Sequence, residues 1–495
     1  MDTRAAFMRA RKEFNGRLIG PYQSEGVAWM LNREINGGNN PGGFLCDEMG
    51  LGKTAQTAAM MLGNPKPKTL IIVPKSIVTQ WVSELARFAP NLIVYAYDGP
   101  ARELAPIRDS DVVVAPYSVT TNRNSPDSGT PLHRFGWDRI ILDEGHEIRN
   151  KKSKTHVSIC KLRTRIRWIL TGTPIFNTIR DFAALCAFLG IPQRVVQAYP
   201  EKIRQSYLLR RTKDDVARFN KRLELPPCDF QNVELDMYPE ERGLYNQAFM
   251  ESKAAIDSIF ATSVNIAAHN MEILECLLRV RQVMVHPQLY LNGMAAKTET
   301  ETDEFEGISR KMEYLLESIS SHPREKTLVF CQFITEMDII HEILVEAGMT
   351  VFRIDGSIPR EQRDLNLKNY KAFDTPKSKG CVFLIQVKAG GVGLNIQEAT
   401  RVYITAPSWN PATELQAIGR SHRTGQTQRV VVRKLIYAGD DDIPSVEQSI
   451  MVLQGNKSKV CAEILGDDRL LNQIPVSNRK GVSLRDVRNI FSVKK

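Results

Sequence analysis

The chain has 495 residues, 42% of them hydrophobic and 25% charged, a composition typical of globular proteins with more than one core. Its 66 basic and 56 acidic residues leave a net charge of +10, which permits a polyanionic partner without requiring one. No apolar run approaches the roughly 18 residues that span a bilayer, and the eight cysteines form no CxxC pair. Membrane, secreted and disordered classes are therefore excluded, and a disulfide framework or zinc module is not expected.

Short apolar runs alternate with helical segments in two parts of the chain, which is the pattern of parallel-sheet α/β domains. The runs are rich in Val, Ile and Leu and lack alternation, as expected for strands with helices on both faces. In the first part they are Gly43–Cys46, Thr69–Val73, Leu92–Tyr97, Asp111–Ala115, Arg139–Leu142 and Trp168–Thr171. In the second part they are Lys326–Cys331, Thr350–Ile354, Cys381–Gln386, Arg401–Thr405 and Val430–Leu435.

The pattern changes between these parts. Pro226-Pro227 interrupts the chain, a long helical stretch runs from Pro239 to Val285, and the acidic run Lys297–Glu306 predicts an exposed loop. The expected domains are a first lobe over 1–225, a helical insertion over 226–310, a second lobe over 311–465 and a basic tail over 466–495. We expect the tail either to pack back onto the first lobe as a brace helix or to be a frayed end.

A glycine-bearing loop follows the first predicted strand and opens a predicted helix over Ala55–Leu62. It reads Asp47-Glu48-Met49-Gly50-Leu51-Gly52-Lys53-Thr54. Such a loop closes its backbone N–H groups around phosphates, while Lys53 reaches the β/γ oxygens and Thr54 holds Mg²⁺. The strict GxxxxGK[ST] pattern fails at its first glycine, where Asp47 stands. The pattern alone is open to chance, and the strand–turn–helix setting is what favours a phosphate site.

Two carboxylates end the predicted strand that carries Ile140, Ile141 and Leu142. Asp143 is placed to bind Mg²⁺, directly or through water, and Glu144 to polarise an attacking water. Acidic residues after a strand are also common caps of the next helix, and this pair alone does not decide between the two interpretations. Its pairing with the phosphate loop favours the catalytic one.

Further segments in chain order resemble the motifs of superfamily-two motors and, within that superfamily, the SWI/SNF-type ATPases. Besides DEMGLGKT and DEGH these are Pro21-Tyr22-Gln23, Val73–Ser76 with Gln80-Trp81, Leu170–Pro174, Leu208–Lys213, Phe330–Phe333, Asp355–Ser357, Lys388–Asn395, Trp409–Pro411 and Gln416–Gln426. The resemblance covers roughly residues 14 to 465. It implies two RecA-like parallel-sheet lobes in tandem with a helical insertion between them.

Two segments resemble one branch of the family. Asp143–Asn150 and Arg279–Pro287 are similar to the DNA-damage-tolerance translocases and the Lodestar-type transcription terminators. Damage-tolerance members usually carry a RING finger between the lobes. No cysteine lies between Cys276 and Cys331, so a RING finger is not expected here. The chain resembles a bare motor, as viral or phage versions are.

The resemblance implies ATP and Mg²⁺ as cofactors, bound where the two lobes meet. The nucleotide residues would be Gln23, which reads adenine, with Asp47, Gly50, Leu51, Gly52, Lys53, Thr54 and Gly393. Thr54 and Asp143 would hold the metal, and the catalytic residues would be Lys53, Asp143, Glu144, Arg420 and Arg423. The two arginines, three apart on a predicted helix and so on one face, resemble the arginine fingers of the family. His422, between them, is expected to pack or hydrogen-bond.

The implied partner is double-stranded DNA, gripped through its phosphates with little sequence preference. The candidate contacts are Ser76, Gln80, Thr171, Gly356, Lys388 and Asn410. Trp81 and Trp409 either stack on a base or, as is more common, belong to the core. Lys151, Lys152 and Lys154 form either a loop that tracks phosphates or a solvated run of charge. Gln386 and Val387 stand where the family often has Ser or Thr.

The function that these motifs favour is an ATP-dependent double-stranded DNA translocase that remodels protein–DNA complexes or DNA structures. A helicase that separates or anneals strands is the first alternative. A catalytically inactive DNA-binding scaffold is the second, and the presence of Lys53, Asp143 and Glu144 argues against it. The expected compartment is intracellular, the nucleus in a eukaryote and the cytoplasm in a bacterium or phage.

Overall fold

The computed structural model describes residues 2–18, 20–99, 102–122, 129–172, 179–217, 225–263, 265–374, 379–387, 394–423, 425–440, 442–465 and 490–491. Contacts divide the described chain into two compact units. The first is drawn from Met1–Leu225, Arg423–Gly425 and Val460–Asp468, and the second from Pro226–His422, Gln426–Lys459 and Arg469–Lys495. Among the helices of the described ranges, none combines the length and apolarity needed to cross a membrane.

The first unit is built on a seven-stranded sheet whose strand pairs are all parallel. Its strands are β1 Gly42–Leu45, β2 Thr69–Val73, β3 Val94–Ala96, β4 Val112–Pro116, β5 Trp137–Asp143, β6 Thr164–Leu170 and β7 Leu208–Leu209. They lie in the order β3-β4-β2-β5-β6-β1-β7. The helices are α1 Thr3–Glu13, α2 Pro21–Asn36, α3 Lys53–Gly63, α4 Val78–Phe88, α5 Ala105–Asp109, α6 Lys154–Cys160, α7 Ile179–Phe188, α8 Gln193–Ala198, α9 Pro200–Tyr207 and α10 Lys213–Ala217.

The residue patterns explain this arrangement. All five residues of β2 are buried, which requires cover on both faces of the sheet and matches its unbroken apolar run. Helix α4 instead buries Val78, Trp81 and Leu85, at the three- and four-residue spacing of one helical face. The first unit is therefore a layered α/β domain with helices packed on a parallel sheet.

The second unit has a six-stranded sheet, again with parallel pairs, in the order β10-β11-β9-β12-β13-β8. Its strands are β8 Cys228–Leu235, β9 Lys326–Cys331, β10 Thr350–Ile354, β11 Cys381–Gln386, β12 Arg401–Ile404 and β13 Val430–Tyr437. The helices are α11 Pro239–Thr262, α12 Asn270–Val285, α13 Pro287–Thr298, α14 Arg310–Ser320, α15 Ile334–Glu346, α16 Arg360–Ala372, α17 Pro411–Ile418 and α18 Val446–Leu465, of which Val446–Lys459 belongs to this unit. Two parallel α/β lobes in tandem confirm the predicted fold class, and the inserted helices α11, α12 and α13 lie in the chain between β8 and β9 of the second sheet.

The inserted helices share a core with the second sheet. Apolar residues of α11 and α12 pack in one cluster with β13 and α18, and Ile490 and Phe491 from the tail join it. The rings of Phe249 and Phe491 lie 5.1 Å apart. These two tail residues therefore pack within the second unit, not on the first lobe. The helical stretch predicted from Pro239 to Val285 consists of two helices, α11 and α12, with a 3₁₀ turn over Ile266–His269 between them.

A buried polar chain fixes the same region. The ammonium of Lys311 donates to a carboxylate oxygen of Glu447 at 2.7 Å and to the carbonyl of Thr405 at 2.8 Å. The hydroxyl of Tyr437 donates to Glu241 at 2.6 Å. Buried charges are tolerated when they are paired and hydrogen-bonded in this way.

Candidate nucleotide site

Four neighbouring strands of the first sheet end in one line. The register aligns Asp143 with Leu170, Leu170 with Leu45, and Leu45 with Leu209, at the ends of β5, β6, β1 and β7. Because the strands are parallel, the segments that follow them leave the sheet at one edge, where ligands of open α/β sheets bind. This edge brings together the predicted phosphate loop, the two carboxylates and Thr171-Gly172.

The phosphate loop has the backbone that its glycines predict. Gly50 and Gly52 have φ values of 91° and 77°, and helix α3 begins at Lys53 directly after them. A Cβ on residue 52 would lie 2.3 Å from Nε2 of Gln23, so only glycine fits. Gln23 is itself buried and donates to the carbonyl of Leu51 at 3.1 Å. The residue predicted to read adenine thus lies against the loop.

The ammonium of Lys53 contacts the backbone at the start of this loop. Its Nζ donates to the carbonyl of Asp47 at 2.8 Å, with the carbonyl of Glu48 at 3.5 Å. The segment after β6 is close by, since a Cβ on Gly172 would meet Nζ of Lys53 at 3.0 Å and Cγ of Met49 at 2.4 Å. The ammonium therefore bonds carbonyls of its own loop, in a place from which it can turn to an anionic ligand.

Asp143 is held by donors from three directions. Nε1 of Trp81 donates to Oδ2 at 2.8 Å, the N–H of Glu144 donates to Oδ1 at 2.9 Å, and the Tyr117 hydroxyl donates to the Asp143 carbonyl at 2.9 Å. Burial and then the charge of Glu144 raise the pKa of Asp143 to about 6, opposed by the Trp81 hydrogen bond and the charge of Lys53. Lys53 follows β1 and Asp143 ends β5, two strands that end at the same edge of the sheet.

Glu144 has a strained backbone. Its φ of 49° and ψ of 47° are left-handed, which costs a residue with a side chain of order 1–3 kcal/mol. An added Cβ on Gly145 would meet Cγ2 of Ile169 at 2.5 Å, so the chain packs tightly on β6 here. An oxygen of the Glu144 carboxylate lies 3.3 Å from Nδ1 of His146. The strain sits beside Asp143, where strain of this kind commonly marks function.

The side chain of Asp47, predicted to belong to the nucleotide site, is bonded to other protein groups. Its side chain is fully buried, and Oδ1 accepts from Nε of Arg211 at 2.9 Å. Oδ2 accepts from Nη2 of the same arginine and from Nε2 of Gln56, the latter at 3.0 Å. The carboxylate is therefore bonded to protein, and its backbone carbonyl meets Lys53.

The described donors fit a magnesium ion. Mg²⁺ prefers hard oxygen ligands and usually keeps several waters and substrate phosphates in its coordination shell. The Thr54 hydroxyl, in the first turn of α3, and the half-buried Asp143 carboxylate are such oxygens. A cation would also offset the cost of keeping the Asp143 carboxylate charged where it is partly removed from water.

The two arginines predicted as fingers are not on one helix. Helix α17 ends at Ile418, so Arg420 and Arg423 lie in the turn that follows it. The prediction of one helix is wrong because the backbone after Ile418 makes a hydrogen bond outside the helix. The carbonyl of Arg420 accepts from the N–H of Ile396, in the segment before β12, at 3.0 Å. Burial lowers the pKa of Arg423 from its usual high value. Nε2 of His422 lies 2.8 Å from the Pro226 carbonyl, which is a structural contact.

The candidate DNA residues differ in exposure. Ser76 and Gln80 are exposed at the start of α4, Gly356 is exposed, and Asn410 is half-buried. Thr171 is fully buried and its N–H donates to the carbonyl of Leu45 at 3.2 Å, so the structure places it inside the sheet edge. Lys388 and Gly393 lie outside the described residues, as do Thr173 and Pro174.

Neighbouring residues of those candidates have clear roles. The Gly356 N–H donates to Oε1 of Gln386 at 3.1 Å, which joins two of the predicted motifs. Trp81 is buried and bonds Asp143, a role that sequence did not predict. Trp409 is half-buried with the Arg281 guanidinium 5.3 Å from its ring. The exposed lysines at 151, 152 and 154 surround the start of α6.

Comparison with known proteins finds two family profiles that match this chain. The family profile of the SNF2-related domain matches residues 22–200 and 193–289, and that of the helicase conserved C-terminal domain matches 310–425. The mouse helicase-like transcription factor is 26% identical over 86% of this chain and 53% of its own length. A "probable global transactivator" of Orgyia pseudotsugata multicapsid polyhedrosis virus is 28% identical over 95% of this chain and 94% of its own.

A solved structure is also similar in sequence. The Sulfolobus solfataricus SWI2/SNF2 ATPase core in complex with dsDNA is 27% identical and covers 98% of each chain, with a TM-score of 0.40. The present chain spans about half the length of the mammalian relatives it matches, 53% of the helicase-like transcription factor.

Proposed function

Because this chain belongs to the SNF2-related family of helicase-like ATPases, we propose that it translocates on double-stranded DNA and remodels what is bound there. Hydrolysis of ATP drives the movement. The observation that supports this most is the shared edge of four strands, which carries both the loop with Lys53 and the carboxylate of Asp143.

The residues of this edge divide the chemistry among them. Lys53 and the N–H groups of the loop over Gly50, Leu51 and Gly52 bind phosphate oxygens. Thr54 and Asp143 hold Mg²⁺, which supplies neutralising charge to the phosphates when bound. Glu144 orients the attacking water and accepts its proton. Trp81 orients the Asp143 carboxylate before a ligand arrives, and close packing at Gly145 restricts the backbone beside Glu144.

The remaining groups come from both units. Arg420 and Arg423 offer guanidinium charge to the transferring phosphoryl group, as the family resemblance implies. Exposed Ser76, Gln80 and Gly356 contact the phosphate backbone of the duplex, with Lys388 and Asn410. Contacts of this kind carry little sequence information and weaken steeply with salt.

Displacement of a third strand from a DNA triplex tests translocation on duplex without strand separation. We expect the wild-type protein to release the third strand in an ATP-dependent manner, and Lys53→Ala to release none. Lys12→Ala, which removes an exposed charge on α1, is the matched control and should behave as wild type. Unwinding of a forked duplex without triplex release would favour the helicase. Binding of DNA without hydrolysis of ATP would favour the inactive scaffold.

A further inference from the structure

The segment over 208–213, here called the strap, runs beside the start of the phosphate loop. Its strand β7 pairs with β1, and the Cys46 N–H donates to the Leu209 carbonyl at 2.7 Å. The Glu48 N–H then donates to the Arg211 carbonyl at 2.9 Å. The strap is therefore a backbone neighbour of the loop beyond the end of the sheet.

Side chains strengthen this attachment. The N–H of Lys213 donates to Oε2 of Glu48 at 2.8 Å, and Nζ of Lys213 lies 3.3 Å from Oε1. Arg211 bonds both oxygens of Asp47 through Nε and Nη2, the fork geometry that suits a carboxylate. Nη2 also donates to Oε1 of Gln56 in helix α3 at 2.9 Å. The arginine thus joins the strap to the loop and to the helix that the loop opens.

The surroundings leave no room around this guanidinium. A Cβ on Gly26 would lie 1.9 Å from Oε1 of Gln56 and 2.7 Å from Nη2 of Arg211. Nη1 of the arginine donates to the carbonyl of Tyr22, directly before Gln23. The carboxylate of Asp47 is fully buried, and a buried charge is tolerated only with a paired, hydrogen-bonded partner.

We propose that Arg211 is a positioning residue for nucleotide binding, which acts through Asp47. The guanidinium fixes the Asp47 carboxylate, and the Asp47 carbonyl is the group that Nζ of Lys53 bonds at 2.8 Å. Without this two-point bond, Asp47 at the start of the loop is no longer held, and its carbonyl no longer fixes the position of the Lys53 ammonium. The inference rests on the proposed function, in which this loop binds the phosphates of ATP.

The fork also explains the departure from the phosphate-loop pattern. A glycine at position 47 would have no side chain with which to attach the loop to another element. Asp47 supplies that attachment, and the strap supplies the charge that makes its burial tolerable. The position is therefore used for anchoring the loop, and Gly50 and Gly52 keep its left-handed turns.

The test compares Arg211→Lys with Arg139→Lys. Arg139 also makes a buried fork with a carboxylate, bonding Glu34 at 2.6 Å through both Nε and Nη2, but touches no residue of the loop. Each lysine keeps the charge and loses the fork. Binding of a fluorescent ATP analogue without DNA, the KM and kcat for ATP with saturating duplex, and thermal unfolding are measured for both variants.

We expect both variants to lower the unfolding temperature, and only Arg211→Lys to weaken nucleotide binding. The expected weakening is about tenfold, equal to about 1.4 kcal/mol, and appears in KM with kcat nearly unchanged. Asp47→Asn, which removes the charge at the other end of the fork at nearly equal volume, should weaken binding in the same way. The Asp47→Asn variant replaces Arg211→Lys in the test if Arg211→Lys does not fold.

Wild-type binding by either Arg211→Lys or Asp47→Asn, with lowered thermal stability, would overturn the proposal and leave the fork a structural contact only. Equal weakening of nucleotide binding by Arg139→Lys would overturn it as well, because the effect would follow stability. A wild-type protein that binds no ATP analogue would overturn the proposed function itself, which is a separate result.

Discussion

Replacing Trp81 by Phe should impair hydrolysis by loosening Asp143, the carboxylate that we propose binds Mg²⁺. Nε1 of Trp81 donates to Oδ2 of Asp143 at 2.8 Å, and the indole is only 2% exposed. A hydrogen bond to a charged group contributes about 2 kcal/mol. If that contribution orients Asp143 for the reaction, its loss lowers kcat/KM for ATP about thirtyfold.

The structure offers a matched control for this change. Trp168 is also fully buried, and its Nε1 donates to Oε1 of Glu34 at 2.9 Å, away from the phosphate loop. Both substitutions remove one indole donor from a carboxylate and leave a buried aromatic ring in place, so both should lower the free energy of unfolding. Hydrolysis of ATP with duplex present is measured against Mg²⁺ concentration for each variant.

Only Trp81→Phe should lower kcat/KM and require more Mg²⁺ for half-maximal activity. Equal activity losses in the two variants would mean that the effect follows stability. Wild-type activity and Mg²⁺ dependence in Trp81→Phe would refute the assignment of Trp81 to Asp143.

Three further changes have defined outcomes. Gly52→Ala would force alanine into a positive φ with its Cβ 2.3 Å from Nε2 of Gln23. Nucleotide binding should therefore weaken, and denaturant titration should show a free energy of unfolding lower by about 1–2 kcal/mol. A variant with unchanged binding and stability would contradict the loop geometry. Glu144→Gln should still bind the ATP analogue while phosphate release falls by about 10²-fold or more, and retained release would remove the water-orienting role. Phe491→Ala should lower stability by about 3–5 kcal/mol because Phe491 packs on Phe249, whereas an unchanged unfolding curve would mean that the contact contributes nothing.

Elements buried on both faces could be predicted closely from sequence. Strands β2, β9 and β11 begin and end at the predicted residues, because an unbroken apolar run is typical of a strand that is covered on both faces. Strand β8 was missed because Cys228–Leu235, paired with β13, is an edge strand with exposed polar residues. Strand β7 was missed because it contains only two residues.

The site shows the same limit of local patterns. The loop and the two carboxylates are local motifs, and sequence identified them. The bonds of Trp81 to Asp143 and of Arg211 to Asp47 join residues 62 and 164 positions apart, so no local pattern carries them. The sequence shows that Asp47 stands where the phosphate-loop pattern has glycine. The reason for it, the bond to Arg211 of the strap, is seen only in the structure. The helix expected to carry Arg420 and Arg423 ends early because tertiary hydrogen bonds of the turn replace helical ones.

The central claim is that the edge formed by the phosphate loop and β5 hydrolyses ATP in response to duplex DNA. The direct measurement is the steady-state rate of ATP hydrolysis without DNA, with single-stranded DNA and with double-stranded DNA, for the wild type and Lys53→Ala. We predict strong stimulation by duplex, a smaller effect of single strands, and no hydrolysis by Lys53→Ala in any condition. A wild-type rate that duplex leaves unchanged, or hydrolysis that survives Lys53→Ala, would contradict the account.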